Sequence, residues 1–148
     1  MHLIIDGYNL LHVNRFLPQL NALQLQWERD RLIDQLSAYQ KLKSCQITVV
    51  FDGWQGGWSI EKQERKKGID LIFSKLGEKA DEVIKRLVRV KGSGTMVITS
   101  DRDIARFAER MAVSVISSDQ FREKLEAPSN KFEEVSKEEE EENKGIKK

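Results

Sequence analysis

Acidic residues follow three apolar runs of the sequence, each as long as a buried strand. They are Asp6 after residues 3–5, Asp52 after residues 47–51, and Asp101 and Asp103, with Ser100, after residues 96–99. Asp81, beside Glu82, opens the helical pattern that follows another run at residues 69–73. If these runs are strands of a parallel sheet, their carboxyl ends lie at one edge, which is where ligands bind in such sheets. We therefore expect these side chains to lie together at that edge.

Carboxylates gathered at one edge repel one another, and a bound cation offsets that repulsion. The chain has one cysteine, Cys45, and two histidines, so an internal disulfide and a cysteine zinc site are excluded. Oxygen ligands alone favour Mg²⁺ or Mn²⁺, which commonly serve phosphate chemistry. Taken singly, each acid also has a structural explanation as a helix cap, a first-turn residue or a turn residue.

An aromatic and basic stretch leaves directly from Asp52, so we expect it near the same edge. It consists of Trp54 and Trp58 in a glycine-rich loop, followed by Lys62, Arg65, Lys66 and Lys67. Nucleic acid bases stack on aromatic rings, and lysine and arginine hold phosphates, so the stretch is predicted to bind an anionic polymer. The alternative is that the tryptophans pack the loop down and the basic residues form a solvated helix face.

The apolar runs alternate with helical patterns at residues 25–43, 78–90 and 101–112. This alternation predicts an α/β fold with an open, mostly parallel sheet and helices on both faces. The length of 148 residues fits one domain. No apolar run approaches a membrane span and the first residues do not resemble a signal peptide, so we expect a cytoplasmic protein.

The net charge of +1 conceals two different regions. Residues 126–148 hold eight acids and five bases, which leaves 16 acids and 20 bases in residues 1–125. The sequence therefore predicts a basic domain over residues 1–125 and an acidic tail over residues 126–148. The tail has few apolar residues to offset its ordering entropy, so we expect it to be disordered from about Pro128.

Several short motifs occur in a fixed order along residues 3–125. They are Asp6-Gly7-Tyr8-Asn9, Arg29-Asp30-Arg31-Leu32-Ile33, Phe51-Asp52, Ala80-Asp81-Glu82 and Thr99-Ser100-Asp101. With these motifs in this order, the chain resembles the YacP-like NYN domain family, a bacterial branch of the PIN-like nucleases. Two positions depart from the family pattern. Lys79 stands where an uncharged residue is expected, and Gly53-Trp54 replaces the expected loop after the second strand.

The resemblance implies a PIN-like three-layer α/β/α sandwich with a mostly parallel five-stranded sheet in the order 3-2-1-4-5. It also implies a metal-dependent ribonuclease site at Asp6, Asn9, Asp52, Asp81 and Asp101, with Ser100, Asp103 and Glu82 peripheral. In this interpretation Asp6 and Asp101 hold Mg²⁺ or Mn²⁺ with help from Asp81, and Asp52 orders the attacking water. The expected reaction is endonucleolytic cleavage of single-stranded RNA. One branch of the family acts on RNA at the ribosome, which is therefore an expected partner.

Other functions are compatible with parts of the pattern. The main alternative is a non-catalytic RNA-binding or adaptor module that keeps the PIN-like shape. A Toprim-type fold would share the spacing of Asp101 and Asp103, but it needs glutamate where this chain has Asp6. A haloacid-type phosphatase would need an aspartate at position 8, where this chain has Tyr8. A dinucleotide-binding fold would need a glycine-rich turn after the first strand, which Asp6-Gly7-Tyr8-Asn9 does not supply.

Overall fold

The computed structural model describes residues 1–11, 21–53 and 59–135, with side chains as far as residue 126. The elements, in chain order, are β1 (His2–Asp6), α1 (Gly7–Leu11), α2 (Ala22–Lys43), β2 (Gln46–Phe51), β3 (Lys62–Lys66), β4 (Ile69–Phe73), α3 (Ala80–Lys91), β5 (Thr95–Ile98), α4 (Arg102–Arg110), β6 (Ser114–Ile116) and α5 (Ser118–Val135). Within these ranges no helix combines the length and the apolar character that a membrane crossing requires.

The strands form one six-stranded sheet in the order β3-β4-β2-β1-β5-β6. All neighbouring pairs are parallel except β3 with β4. When β3 is set aside, the order is the predicted 3-2-1-4-5. The predicted α/β class and the mostly parallel sheet are confirmed, and the strand count is one higher than predicted.

Two apolar cores cover the two faces of the sheet. On one face, α1, α2 and α5 contribute Leu10, Leu36 and Phe121 to a core that includes Phe51 of β2. On the other face, α3 and α4 contribute side chains such as Ile84 to the second core. The chain therefore has the three layers that the sequence resemblance implied, with β1 at the centre of the middle layer.

The additional strand is β3, in the basic stretch that was predicted to be a loop or a solvated helix face. Lys67 and Gly68 both have positive φ, at 53° and 83°, which suits a tight two-residue turn between antiparallel strands. Lys62 pairs with Phe73 at the carboxyl end of β4, whereas Lys66 pairs with Ile69 at its amino end. Only the beginning of the basic stretch therefore lies at the acidic edge, and the expectation that all of it would is corrected.

Helix α5 crosses the predicted boundary between domain and tail. It covers Ser118–Val135, so the backbone is helical beyond Pro128, where disorder was predicted to begin. Residues 136–148 lie outside the described part of the chain. The division of the chain at residue 125 stays a prediction.

Gly7 is the point of closest approach between α1 and the sheet. A Cβ atom added there would lie 2.5 Å from Cε1 of Phe51 and 2.6 Å from Cδ1 of the same ring. Phe51 is fully buried and stacks on Phe73, with 5.4 Å between the two ring centroids. Because this ring has no space to retreat into, Gly7 lets α1 begin immediately after Asp6.

We expect Gly7→Ala to lower the free energy of unfolding by about 1–3 kcal/mol through overpacking against Phe51. Urea denaturation of the four proteins in a double-mutant cycle with Phe51→Leu checks the cause. In the Phe51→Leu background, where the ring is absent, Gly7→Ala should cost less. An equal cost in both backgrounds would assign the effect to the backbone and not to the ring.

Candidate active site

The hydroxyl of Thr99 joins Asp6 to Asp101. Asp6 ends β1, and Thr99 follows directly on β5, which pairs with β1 through Ile5 and Ile98. Thr99 Oγ1 donates to Asp6 Oδ2 at 3.0 Å and accepts from the backbone N–H of Asp101 at 3.0 Å. Two of the predicted metal ligands therefore lie on either side of one buried side chain.

Asp101 also caps helix α4. Its Oδ1 accepts from the backbone N–H groups of Asp103 at 2.8 Å and Ile104 at 3.2 Å. The structural explanation for this acid is therefore correct. It does not compete with a role in the site, because the cap holds the carboxylate in a fixed orientation beside Thr99.

Asn9 connects three segments around the same edge. Its Oδ1 accepts from the backbone N–H of Ser100 at 2.8 Å and from the hydroxyl of Ser118 at 2.5 Å. The backbone N–H of Ser118 in turn donates to Ser100 Oγ at 3.0 Å. The sequence resemblance implied that Asn9 belongs to the site. In the structure its amide oxygen positions the loop that carries Asp101.

The Asp6 carboxyl lies in an unfavourable environment for negative charge. Its pKa is raised from 3.8 to about 6, chiefly by burial; the hydrogen bond from Thr99 lowers the pKa, and the negative charges of Asp101 and Asp81 raise it. Asp81 is in the first turn of α3, and its buried Oδ1 has no hydrogen-bond partner among the described residues. The three carboxylates therefore share one electrostatic environment, in which a cation would be stabilised.

The other predicted acids lie further out. Asp52 is exposed just beyond β2, two residues after Val50, which pairs with Asp6 across the sheet. Glu82 is exposed on α3. Asp103 is exposed and forms an ion pair with Lys85 at 2.6 Å, and this hydrogen bond lowers the pKa of Asp103.

The donor chemistry at this edge suits Mg²⁺ or Mn²⁺, since only oxygen atoms are offered. The unpartnered Asp81 oxygen and the raised pKa of Asp6 are the observations that fit a cation. Over the described ranges, however, no three side chains of the His, Cys, Asp or Glu type are arranged as a set of metal ligands. The side chains of Asp6, Asp81 and Asp101 would therefore have to move closer together around an ion.

Most of the basic residues predicted to bind substrate are paired with acids. Lys62 contacts Glu64 at 3.0 Å, Arg65 contacts Asp70 at 2.8 Å, and Lys67 contacts Asp34. Exposed pairs of this kind contribute about 0–1 kcal/mol, so a phosphate could replace the acid. A cavity of about 230 Å³ lies between α2 and β3, with Lys62, Lys66 and Arg29 among its lining residues. Trp54 and Trp58 lie outside the described residues.

Thr99 and Ser118 are site residues that were not predicted from the sequence. Thr99 stands in the motif Thr99-Ser100-Asp101, so its position directly before an acid at a strand end was an available signal. Ser118 is fully buried, and its contact with Asn9 spans 109 residues of chain. No local pattern marks it. Cys45 is half-buried, and burial raises the pKa of its thiol.

The fold and this arrangement of side chains can be compared with known proteins. The family model described as the YacP-like NYN domain matches residues 3–148 of this chain. The chain belongs to the YacP-like NYN domain family. This membership places it in the PIN-like nuclease superfamily, as the sequence motifs implied.

One curated protein and two crystal structures illustrate the likeness to known proteins. The protein YacP of Bacillus subtilis, described as uncharacterized, is 33% identical over 87 residues, which are 59% of this chain and 51% of YacP. The match thus spans about half the length of that relative. A crystal structure of Rae1 (YacP) from Bacillus subtilis superposes with a TM-score of 0.71 at 28% identity, covering 92% of this chain and 79% of Rae1. The W164L mutant of Rae1 gives a TM-score of 0.74 at 25% identity, with 89% and 79% covered.

The raised pKa of Asp6 predicts how stability depends on pH without divalent ions. Between pH 3.8 and about 6 the folded protein holds a proton on Asp6 that the unfolded chain has lost. Stability from this group is therefore present at low pH and is lost as the pH rises through about 6. Relative to Asp6→Asn, the wild type should lose about 2–3 kcal/mol over this range. Denaturation in EDTA at several pH values tests this, and parallel pH profiles for the two proteins would contradict it.

We expect Thr99→Val to raise the pKa of Asp6 further, because it removes the hydrogen bond that lowers it. The change also leaves the backbone N–H of Asp101 without its acceptor, which should lower the free energy of unfolding by about 1–3 kcal/mol. Carboxyl-carbon NMR titration measures the pKa, and Thr99→Ser should restore it. A loss of stability with an unchanged Asp6 pKa would mean that Thr99 is only a packing residue.

Proposed function

We propose that the protein is a ribonuclease that uses Mg²⁺ or Mn²⁺ to hydrolyse phosphodiester bonds within single-stranded RNA. The family membership supports a nuclease. The observation that carries the proposal is the juxtaposition of Asp6 and Asp101 on either side of Thr99, within the electrostatic field of Asp81. This arrangement concentrates negative charge where a cation and a phosphate can meet.

In the proposed mechanism Asp6, Asp81 and Asp101 would hold the Mg²⁺ or Mn²⁺ ion. The bound ion would make a water more acidic and neutralise charge on the phosphate. Asp52, at the exposed end of the neighbouring strand, orders the water that attacks phosphorus in line. Asn9 and Thr99 hold the loop and the carboxylates in place, and neither is assigned a proton transfer.

The substrate proposal extends to the surroundings of the site. Lys62, at the acidic edge, is the residue of the basic stretch that we place nearest the scissile phosphate. Arg65, Lys66 and Lys67 would contact RNA further along, and Trp54 and Trp58 would stack bases. We also propose a cytoplasmic location, with mRNA on the ribosome as a substrate.

A second candidate function is that of an RNA-binding adaptor without catalysis. It is favoured by the lack, in the described ranges, of three ligand side chains already arranged for a metal ion. Both candidates predict RNA binding. They differ in whether a divalent ion binds and whether the RNA is cut.

Asp101→Asn separates the two functions, because asparagine is as good a helix cap as aspartate and the variant should stay folded. We expect wild-type protein to cut single-stranded RNA with Mg²⁺ or Mn²⁺ and to stop with EDTA. Asp101→Asn should cut more than about a hundredfold more slowly, since a neutral amide is a poor ligand for these ions. It should bind RNA at least as well, because one negative charge has been removed. Gel analysis of labelled RNA and filter binding provide the two measurements.

Asp119→Asn is the matched control, since Asp119 is an exposed acid in the first turn of α5. It should cut at the wild-type rate. Mg²⁺ should also raise the unfolding temperature of the wild type and of Asp119→Asn, but not of Asp101→Asn. If wild-type protein bound RNA and never cut it with either ion, on free RNA or on translating ribosomes, the adaptor function would replace the ribonuclease.

A further inference from the structure

Phe107 of α4 lies among three cationic side chains on the layer formed by α3 and α4. The distances to its ring centroid are 4.9 Å from Arg89 Cζ, 5.7 Å from Lys85 Nζ and 5.8 Å from Arg110 Cζ. All three are within the range of cation–π attraction, which extends to about 6 Å. Attraction to the ring therefore offsets part of the repulsion among three like charges. We call Lys85, Arg89, Phe107 and Arg110 the Phe107 patch.

The positive charge of the Phe107 patch is only partly balanced. Lys85 forms its ion pair with Asp103 at 2.6 Å. No carboxylate in the described part of the chain forms an ion pair with Arg89 or Arg110, and both arginines are exposed. Arg106 adds a further positive charge nearby, because both it and Arg110 act on Asp103. The patch is therefore a net positive surface open to solvent.

The Phe107 patch is continuous with the candidate active site. Helix α3 carries Asp81 in its first turn and Arg89 eight residues later, which is roughly 12 Å further along the helix axis. Helix α4 begins at its cap, Asp101, and carries Arg110 in its last turn. Both helices thus start at the acidic edge and lead to the same group of cations.

We propose that the Phe107 patch binds the phosphate backbone of single-stranded RNA at nucleotides beyond the scissile bond. The inference rests on the proposed function, because it takes the acidic edge as the place of cleavage. Guanidinium groups held against the ring are limited in their motion, and their N–H groups match phosphate oxygens in geometry. An acidic protein could meet the same charges, but the continuity with the site favours the substrate.

The test compares the full-length wild type with Arg89→Gln/Arg110→Gln. Binding of a labelled uridine oligonucleotide of about 12 nucleotides is followed by fluorescence anisotropy over a series of salt concentrations, in EDTA so that no cleavage occurs. Losing two phosphate contacts should flatten the slope of log affinity against log salt by about 1.4. Affinity should therefore fall most at low salt.

Two further variants are controls. Lys41→Gln/Lys43→Gln removes the same charge from the exposed end of α2 and should leave the slope nearly unchanged. Arg89→Lys/Arg110→Lys keeps the charge and should retain most of the slope. Thermal unfolding verifies that every variant is folded.

The possible outcomes are distinct. An unchanged slope in Arg89→Gln/Arg110→Gln, or an equal change in the α2 control, overturns the patch proposal and leaves the ribonuclease proposal intact. Polyglutamate serves as the probe for an acidic protein. If Arg89→Gln/Arg110→Gln loses binding to polyglutamate but retains RNA binding, the patch proposal is also overturned and the patch is assigned to an acidic protein. Wild-type protein that binds no RNA overturns both proposals together.

Discussion

The position of β1 between two parallel partners is the constraint on which the candidate site depends. Its residues pair in register with β2 on one side and β5 on the other, so that Ile5 lies opposite both Val49 and Ile98. The chain leaves these three strands at nearly the same level, which brings Asp6, Asp52 and Thr99 to one edge. The close fit of Gly7 against Phe51 then turns the chain into α1 without covering that edge.

The sequence was sufficient to predict the buried strands and their acidic ends, because both signals are local. Continuous apolar runs mark strands covered on two faces, and the parallel arrangement places whatever follows them at one edge. Strand β3 gave no such signal, since Lys62–Lys66 has no apolar residue. It is a strand because β4 offers it a free edge and the turn at Gly68 directs it back. A charged edge strand also protects the sheet from pairing with other chains.

The supporting residues of the site could not be predicted in the same way. Asp6 and Asp101 are recognisable by residue type and position, but the hydrogen bond from Thr99 to Asp6 joins residues 93 positions apart. The contact of Asn9 with Ser118 is longer still. Such contacts depend on how the layers pack. The Phe107 patch was missed for the same reason, because its cations come from two helices that meet only in the folded protein.

The central place of β1 also has a consequence for folding. Strand β1 can complete its hydrogen bonds only with β2 and β5, which follow it by more than 40 and 90 residues. Contacts of such long range are closed late and slowly, because the entropy of the intervening loops must be overcome first. A nascent or partly unfolded chain therefore has its acidic residues far apart. Whatever chemistry this edge performs begins only when the centre of the sheet is complete.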